Sequence, residues 1–202
     1  MNGLLVLLVL GAGIDQQMYN GIRHGWHSPT MDVVMSTVTQ AGEDYTALGS
    51  GMALYLGGGP ELKRTAALAT CSCLGATAVL LGVRAIVNRP RPEEPDPGWV
   101  NSSFPSGHAT SYFSAATVYS LKFPKLLPYL GVGGALVAIS RIYLGRHWPS
   151  DVLAGALLGT GAGLLTTRLE KPISRLLNLE DSRFSVLQPG GGSALNILTV
   201  RF

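Results

Sequence analysis

Twelve consecutive residues, Ser140-Arg141-Ile142-Tyr143-Leu144-Gly145-Arg146-His147-Trp148-Pro149-Ser150-Asp151, hold two arginines, a histidine and an aspartate. They join two apolar segments, 126–144 and 152–167, where so much charge is seldom placed without a reason. Pro149 fixes φ and lacks an N–H, so it suits the first turn of a following helix. Asp151 then falls in that turn, where the helix dipole favours a carboxylate. His147 lies four residues earlier, near enough for Asp151 to hold one ring nitrogen. That pairing would fix the tautomer and turn the other lone pair outward. Taken alone, the stretch reads equally well as a polar loop with a capping Asp and an interfacial Trp.

Two further groups carry chemistry. One is Arg84 with Arg89-Pro90-Arg91-Pro92, and the other is Pro105-Ser106-Gly107-His108. Arginine offers a planar fork of donors suited to phosphate oxygens. Gly107 permits close backbone approach, and Ser106-Gly107-His108 opens a helix whose first N–H groups can face an anion. With His108, His147 and Asp151, the set contains what covalent phosphoryl transfer needs. One His attacks phosphorus, the other protonates the departing oxygen, and cations stabilise the equatorial oxygens. No carboxylate cluster suggests a Mg²⁺ site, so the arginines would stand in for a metal, and neither metal nor cofactor is expected. Each residue has a plainer reading too. Arg84 could snorkel at a helix end, Ser106 and Asp151 could cap helices, and Arg146 could face headgroups. Trp26, Trp99 and Trp148 read as interfacial anchors. Joint occurrence favours a phosphate site.

These groups must be held by apolar segments. Residues 4–10 form a short apolar run, which would be a mismatched span or the core of a signal peptide lacking its basic start. Residues 15–40 read as one or two interfacial amphipathic helices, and 45–59 are apolar and Gly-rich. His24 and His27 could chelate a metal, but no third ligand is nearby. A charged turn at 60–64 precedes the clearest span, 66–87. Prolines then forbid a helix interior over 88–98. An apolar helix resumes at 109–121, and the last two spans flank the stretch described first. After Arg168 the chain turns polar, with Gly190-Gly191-Gly192 marking a flexible tail. The expected architecture is all-α, an integral-membrane bundle of about six helices with interfacial helices on the outer face. It would form one domain over 1–180 with a polar tail over 181–202.

Composition agrees. Of 202 residues, 47% are hydrophobic and 13% charged, about half the usual charged fraction. The 26 glycines suit tightly packed membrane helices. Mean hydropathy is +0.28, positive but modest, which implies short or interrupted spans. A net charge of +3 hints at anionic partners, yet no basic run with interleaved aromatics points to nucleic acid. Cys71 and Cys73 read as small buried hydrophobes. Lys63, Arg64, Lys122, Lys125, Arg168, Lys171 and Arg175 fall on one side of an alternating topology, which the positive-inside rule makes cytoplasmic. The unusual polar stretches share the other side.

Three separated segments resemble the signature of the type 2 phosphatidic acid phosphatase (PAP2) superfamily, which includes lipid phosphatases, class A acid phosphatases and vanadium haloperoxidases. Its first motif, Lys, six residues, Arg-Pro, corresponds to Arg84 and Arg91-Pro92, with Arg replacing Lys. Arg89-Pro90 is the alternative, but it would put Gly82 at the first cationic position. Pro105-Ser106-Gly107-His108 matches the second motif, and Ser140-Arg141, His147 and Asp151 match the third. The resemblance covers roughly residues 62–167. It implies that His147 is the nucleophile, that Asp151 orients it, and that His108 is the acid and then the base. It also implies that Arg84, Arg91, Ser106, Gly107 and Arg141 bind phosphate. The implied activity is metal-independent hydrolysis of a mono- or diphosphate ester of a membrane lipid, at the outer face of a bacterial inner membrane. Undecaprenyl diphosphate, phosphatidylglycerophosphate, phosphatidic acid and lipid A phosphate all fit as substrate. The rival readings are a vanadium-dependent haloperoxidase and a lipid-phosphate binding or transport protein without turnover.

Overall fold

The computed structural model of the protein describes residues 3–94, 101–177 and 179. Trp99 and the expected tail lie outside them. Among the described residues the regular structure is helical, as expected. The α-helices are α1 (Gly3–Arg23), α2 (Pro29–Thr39), α3 (Asp44–Gly57), α4 (Pro60–Val87), α5 (Gly107–Lys122), α6 (Leu127–Tyr143), α7 (Pro149–Arg168) and α8 (Glu170–Leu176). Single 3₁₀ turns at Gln40–Gly42 and Pro124–Leu126 join α2 to α3 and α5 to α6.

Several boundaries differ from expectation. The first apolar run does not stop at Gly11-Ala12-Gly13, because α1 continues unbroken to Arg23. A helical glycine costs only about 1 kcal/mol, and Gln16, Gln17 and Met18 beyond it are good helix formers. The charged turn at 60–64 is instead the first turn of α4. Pro60 stands where its missing N–H costs nothing, and Glu61 faces the positive end of the dipole. Beyond Arg168 the chain forms one more short helix, α8. Among the described residues, two segments are long and apolar enough to cross a membrane, Pro60–Val87 and Pro124–Tyr143. A third counts if α7 and α8, bent by 73°, form one span. The expected six is not reached by this measure. Helices α3 and α5, with 14 and 16 residues, extend only about 21 and 24 Å against a hydrocarbon core of about 30 Å.

Helices α4, α5 and α7 pack together at the centre. Helix α3 lies against α4, α6 against α5, α2 against α6, and α1 along α6 and α7. On α7 the large side chains face outward and the small ones inward. On α7, Leu153, Leu157 and Leu165 are 62%, 66% and 58% exposed, whereas Gly155, Gly159 and Gly163 are buried. An inside-out pattern of this kind suits a lipid solvent, in which association comes from close packing of small residues. The protein is an integral membrane protein.

The three buried glycines of α7 bring it against the α5 backbone. A Cβ on Gly155 would lie 2.5 Å from the Ser106 carbonyl oxygen, and one on Gly159 would lie 2.3 Å from that of Thr110. A Cβ on Gly163 would lie 2.6 Å from Thr117 Cβ. At the end of the bundle that holds the end of α5 and the start of α4, Glu170 accepts from Lys122 and Arg64, and Arg64 Nε reaches Ser174 Oγ at 3.1 Å. The starts of α5 and α7 therefore lie together at the other end, where Ser106 N donates to the Asp151 carbonyl oxygen at 3.0 Å.

Gly159→Leu should separate α5 from α7 and cost at least about 1–3 kcal/mol. Gly161 faces open space, and its leucine variant should stay near wild type. Thermal midpoints in detergent will check the contrast.

Candidate functional site

Helix α6 stops at Tyr143, and Gly145 takes φ +68°, a left-handed conformation open to glycine. The reversal lets Arg146 N and His147 N both donate to the Arg141 carbonyl oxygen, at 3.1 and 3.3 Å. His147 is thereby tied to the last turn of α6 before Pro149 begins α7. Asp151 sits in the first turn of α7 as expected, and its carboxylate accepts from Trp148 N at 2.8 Å.

The expected contact between Asp151 and the His147 ring is not a hydrogen bond. Asp151 Oδ2 stands 3.9 Å from His147 Nδ1, while the Ser103 carbonyl oxygen lies 2.7 Å from that nitrogen. A carbonyl can only accept, so Nδ1 carries the proton and Nε2 the lone pair. Asp151 is engaged elsewhere. Arg89 Nη1 donates to Asp151 Oδ1 at 2.6 Å and to Ser150 Oγ at 2.7 Å, and Arg89 Nη2 donates to Asp15 Oδ2 at 2.8 Å. Asp15 also accepts from Ser150 N at 2.9 Å. Arg89 thus joins α1 to the start of α7. Its guanidinium lies 5.4 Å from the ring of Trp148, which also packs on Tyr19 and donates to the Pro90 carbonyl. Trp148, expected as an interfacial anchor, works inside this cluster.

The remaining arginines divide differently. Arg84 Nη2 donates to the Pro105 carbonyl oxygen at 3.1 Å, which fixes the strand of chain before Ser106. A planar fork suits this bond, and it is how the cation at position 84 fits as Arg. Arg91 Nε donates to the Asn101 carbonyl oxygen at 2.9 Å, and its Nη1 lies 3.6 Å from Glu94, which also pairs with Arg146. Arg141 is buried, donates to Thr39 Oγ1 at 2.7 Å, and has no partner for Nε. Ser106 Oγ is likewise buried and without a partner. Buried donors normally find partners, so these two mark a place built for an acceptor. Gly107 follows Ser106 as the first residue of α5, beside the Arg84 guanidinium.

His147 is 1% exposed and lies near the positive charges of Arg141, Arg91 and Arg84. Burial first, then these charges, push its imidazolium well below the ordinary histidine range, against the Ser103 carbonyl, which favours protonation. The ring is a neutral base with its free lone pair among cations. His108 Nε2 lies 2.8 Å from Glu43 Oε1. Arg141 links the two histidines, since its charge acts on His147 and on Glu43.

Of the eight residues expected from sequence, the fold joins His147, Arg141, Arg84 and Arg91 through their charges, and Ser106 and Asp151 through a backbone bond. Gly107 and His108 open the helix beside them. Sequence reasoning missed Glu43, Thr39, Asp15 and the Ser103 carbonyl. The carboxylates were signalled by their position beside apolar segments, whereas a backbone carbonyl carries no signal of its own.

The fold is shared with known proteins. The PAP2 superfamily profile matches residues 64–175. An undecaprenyl-diphosphatase of Sulfolobus acidocaldarius is 42% identical over 86 residues, covering 41% of each chain. The match thus spans less than half the length of that curated relative. Two solved structures are similar in fold at 23% identity. The crystal structure of Aquifex aeolicus LpxE aligns with a TM-score of 0.67 over 77% of this chain and 95% of its own. A transmembrane PAP2-type phosphatidylglycerolphosphate phosphatase from Bacillus subtilis aligns with a TM-score of 0.62 over 90% and 96%. With the superfamily's match running over more than half of its length and its three motifs gathered at one end of the bundle, this chain belongs to the PAP2 superfamily.

Proposed function

We propose that the protein is a metal-independent membrane lipid phosphatase acting through a phosphohistidine at His147. The observation that carries this reading is the occurrence, within the three motifs, of two buried, unpartnered donors, Ser106 Oγ and Arg141 Nε, and of an imidazole whose tautomer is fixed. In this reading the phosphate sits between the N-terminal turns of α5 and α7, held by Arg84, Arg91, Arg141, Ser106 and the backbone at Gly107. Nε2 of His147 bonds to phosphorus as the bond to the lipid oxygen breaks, and His108 gives that oxygen its proton. Water, losing a proton to His108, then displaces phosphate from His147. Asp151 acts with Arg89 in holding the start of α7, and thereby holds His147 at one remove.

The substrate is a lipid whose phosphate or diphosphate head enters from the bilayer side. Outward-facing apolar helices and relatives named for polyprenyl and glycerol lipid phosphates support this class. Residues 1–180 act as one catalytic unit. The basic residues at the opposite end of the bundle favour an inner-membrane orientation with the site outside.

Phosphate release by purified protein from undecaprenyl diphosphate, phosphatidylglycerophosphate and phosphatidic acid tests the proposal. His147→Ala should lower it at least about 1,000-fold. Chelator should leave activity unchanged, and vanadate should abolish it. Full activity of His147→Ala on every lipid overturns the mechanism.

The depressed basicity of His147 has a sign that can be read in solution. Its neutral, attacking form persists as pH falls through the ordinary histidine range, so kcat/KM should hold below about pH 6.5 once substrate ionisation is subtracted. An acid limb at or above that pH would count against His147 as the free nucleophile.

A further inference from the structure

Resting on the phosphatase reading, we infer that Glu43 is a positioning residue for His108, holding its ring and supporting its charged form during proton transfer. Glu43 Oε1 lies 2.8 Å from His108 Nε2, across 65 positions of sequence. The carboxylate is about one-third exposed and the ring is mostly buried, 33% and 16% for the side chains. A carboxylate accepts, so Nε2 donates, and proton exchange with substrate is assigned to the other ring nitrogen, Nδ1.

The turn that carries Glu43 is built against the site. A Cβ on Gly42 would fall 2.7 Å from Val137 Cγ1, 3.0 Å from His108 Cβ and 3.2 Å from the His108 carbonyl oxygen. Glycine is therefore what lets the chain press on the first turn of α5. Three residues before Gly42, Thr39 Oγ1 accepts from Arg141 Nη1 at 2.7 Å. This one turn thus meets Arg141 through Thr39 and His108 through Gly42 and Glu43. Around the start of α5 the charged and titratable groups are Glu43 from this turn, Arg84 from α4, Arg141 from α6, and His147 and Asp151 around the start of α7. Glu43 is the carboxylate bonded to the His108 ring.

In the first step the Nδ1 proton of His108 passes to the lipid oxygen as its bond to phosphorus breaks. In the second, Nδ1 takes a proton from the attacking water. Glu43 keeps its bond to Nε2–H throughout and exchanges no proton. Its contribution must then grow with the need for an acid, which is large for an alkoxide leaving group and small for a nitrophenolate.

Full-length Glu43→Gln and Glu43→Asp proteins in detergent, assayed on phosphatidic acid and on p-nitrophenyl phosphate, test the assignment. Glu43→Gln should lower kcat about tenfold or more on the alkyl ester and less than about threefold on the aryl ester. Glu43→Asp should recover part of the loss. In histidine-labelled protein followed by NMR, the His108 titration should move down by about one pH unit in Glu43→Gln. Equal losses on both esters, or an unmoved His108 titration, overturn the assignment. Full activity of Glu43→Gln on phosphatidic acid, with His147→Ala inactive, overturns it and leaves the phosphatase standing. Absence of turnover by the unmodified protein overturns both, although the ring titration would still report the ion pair.

Discussion

The close approach of α7 to α5 is the constraint on which the site rests. Gly155, Gly159 and Gly163 bring the α7 backbone against carbonyls of Ser106, Thr110 and Ser114, where a side chain could not fit. The two helices run the same way, so their N-termini lie together, joined by the bond from Ser106 N to Asp151 O. Two positive dipole ends and their N–H groups then face the same volume. In a lipid solvent, burial of apolar side chains would not supply this association, and contact between small residues does.

Around that volume the charges are sorted by role. Arg89 is neutralised by Asp15 and Asp151, and it works as a rivet between α1 and α7. Arg84 donates to the Pro105 carbonyl and so fixes the chain that delivers Ser106. Arg141 keeps a donor without a partner at a buried place, and Ser106 Oγ is in the same condition. Leaving buried donors unmet costs on the order of 1–3 kcal/mol each, a cost an anion of the right geometry would relieve. The cations are held by backbone carbonyls, hydroxyls and carboxylates, which would make the proposed phosphate cradle preorganised.

The same economy shapes the two histidines. His147 has its proton placed by a neutral carbonyl, in a positive field that keeps the ring unprotonated and nucleophilic. His108 instead has a carboxylate on its ring, where His147 has a neutral carbonyl. A superfamily member that replaces the usual Lys by Arg84 keeps the positive field while gaining a directed bond to Pro105.

The sequence by itself determined the helical class, the membrane setting and the three motifs from which the candidate site is drawn. Apolar runs of spanning length, scarce charge and three short motifs are properties of chain chemistry, and Pro149 with Asp151 marks a helix start wherever it lies. Tertiary structure decided who holds whom. Asp151 looked like the partner of His147 because they are four residues apart, yet chain entry through Gly145 turns the ring to Ser103 and gives Asp151 to Arg89. Glu43 and Asp15 stood out only as carboxylates beside apolar segments, because their partners lie 65 and 74 positions away. Helix ends obey local rules and are written locally. Pairings of charges across a bundle depend on which faces pack together, and that is settled by how closely glycines let two backbones approach.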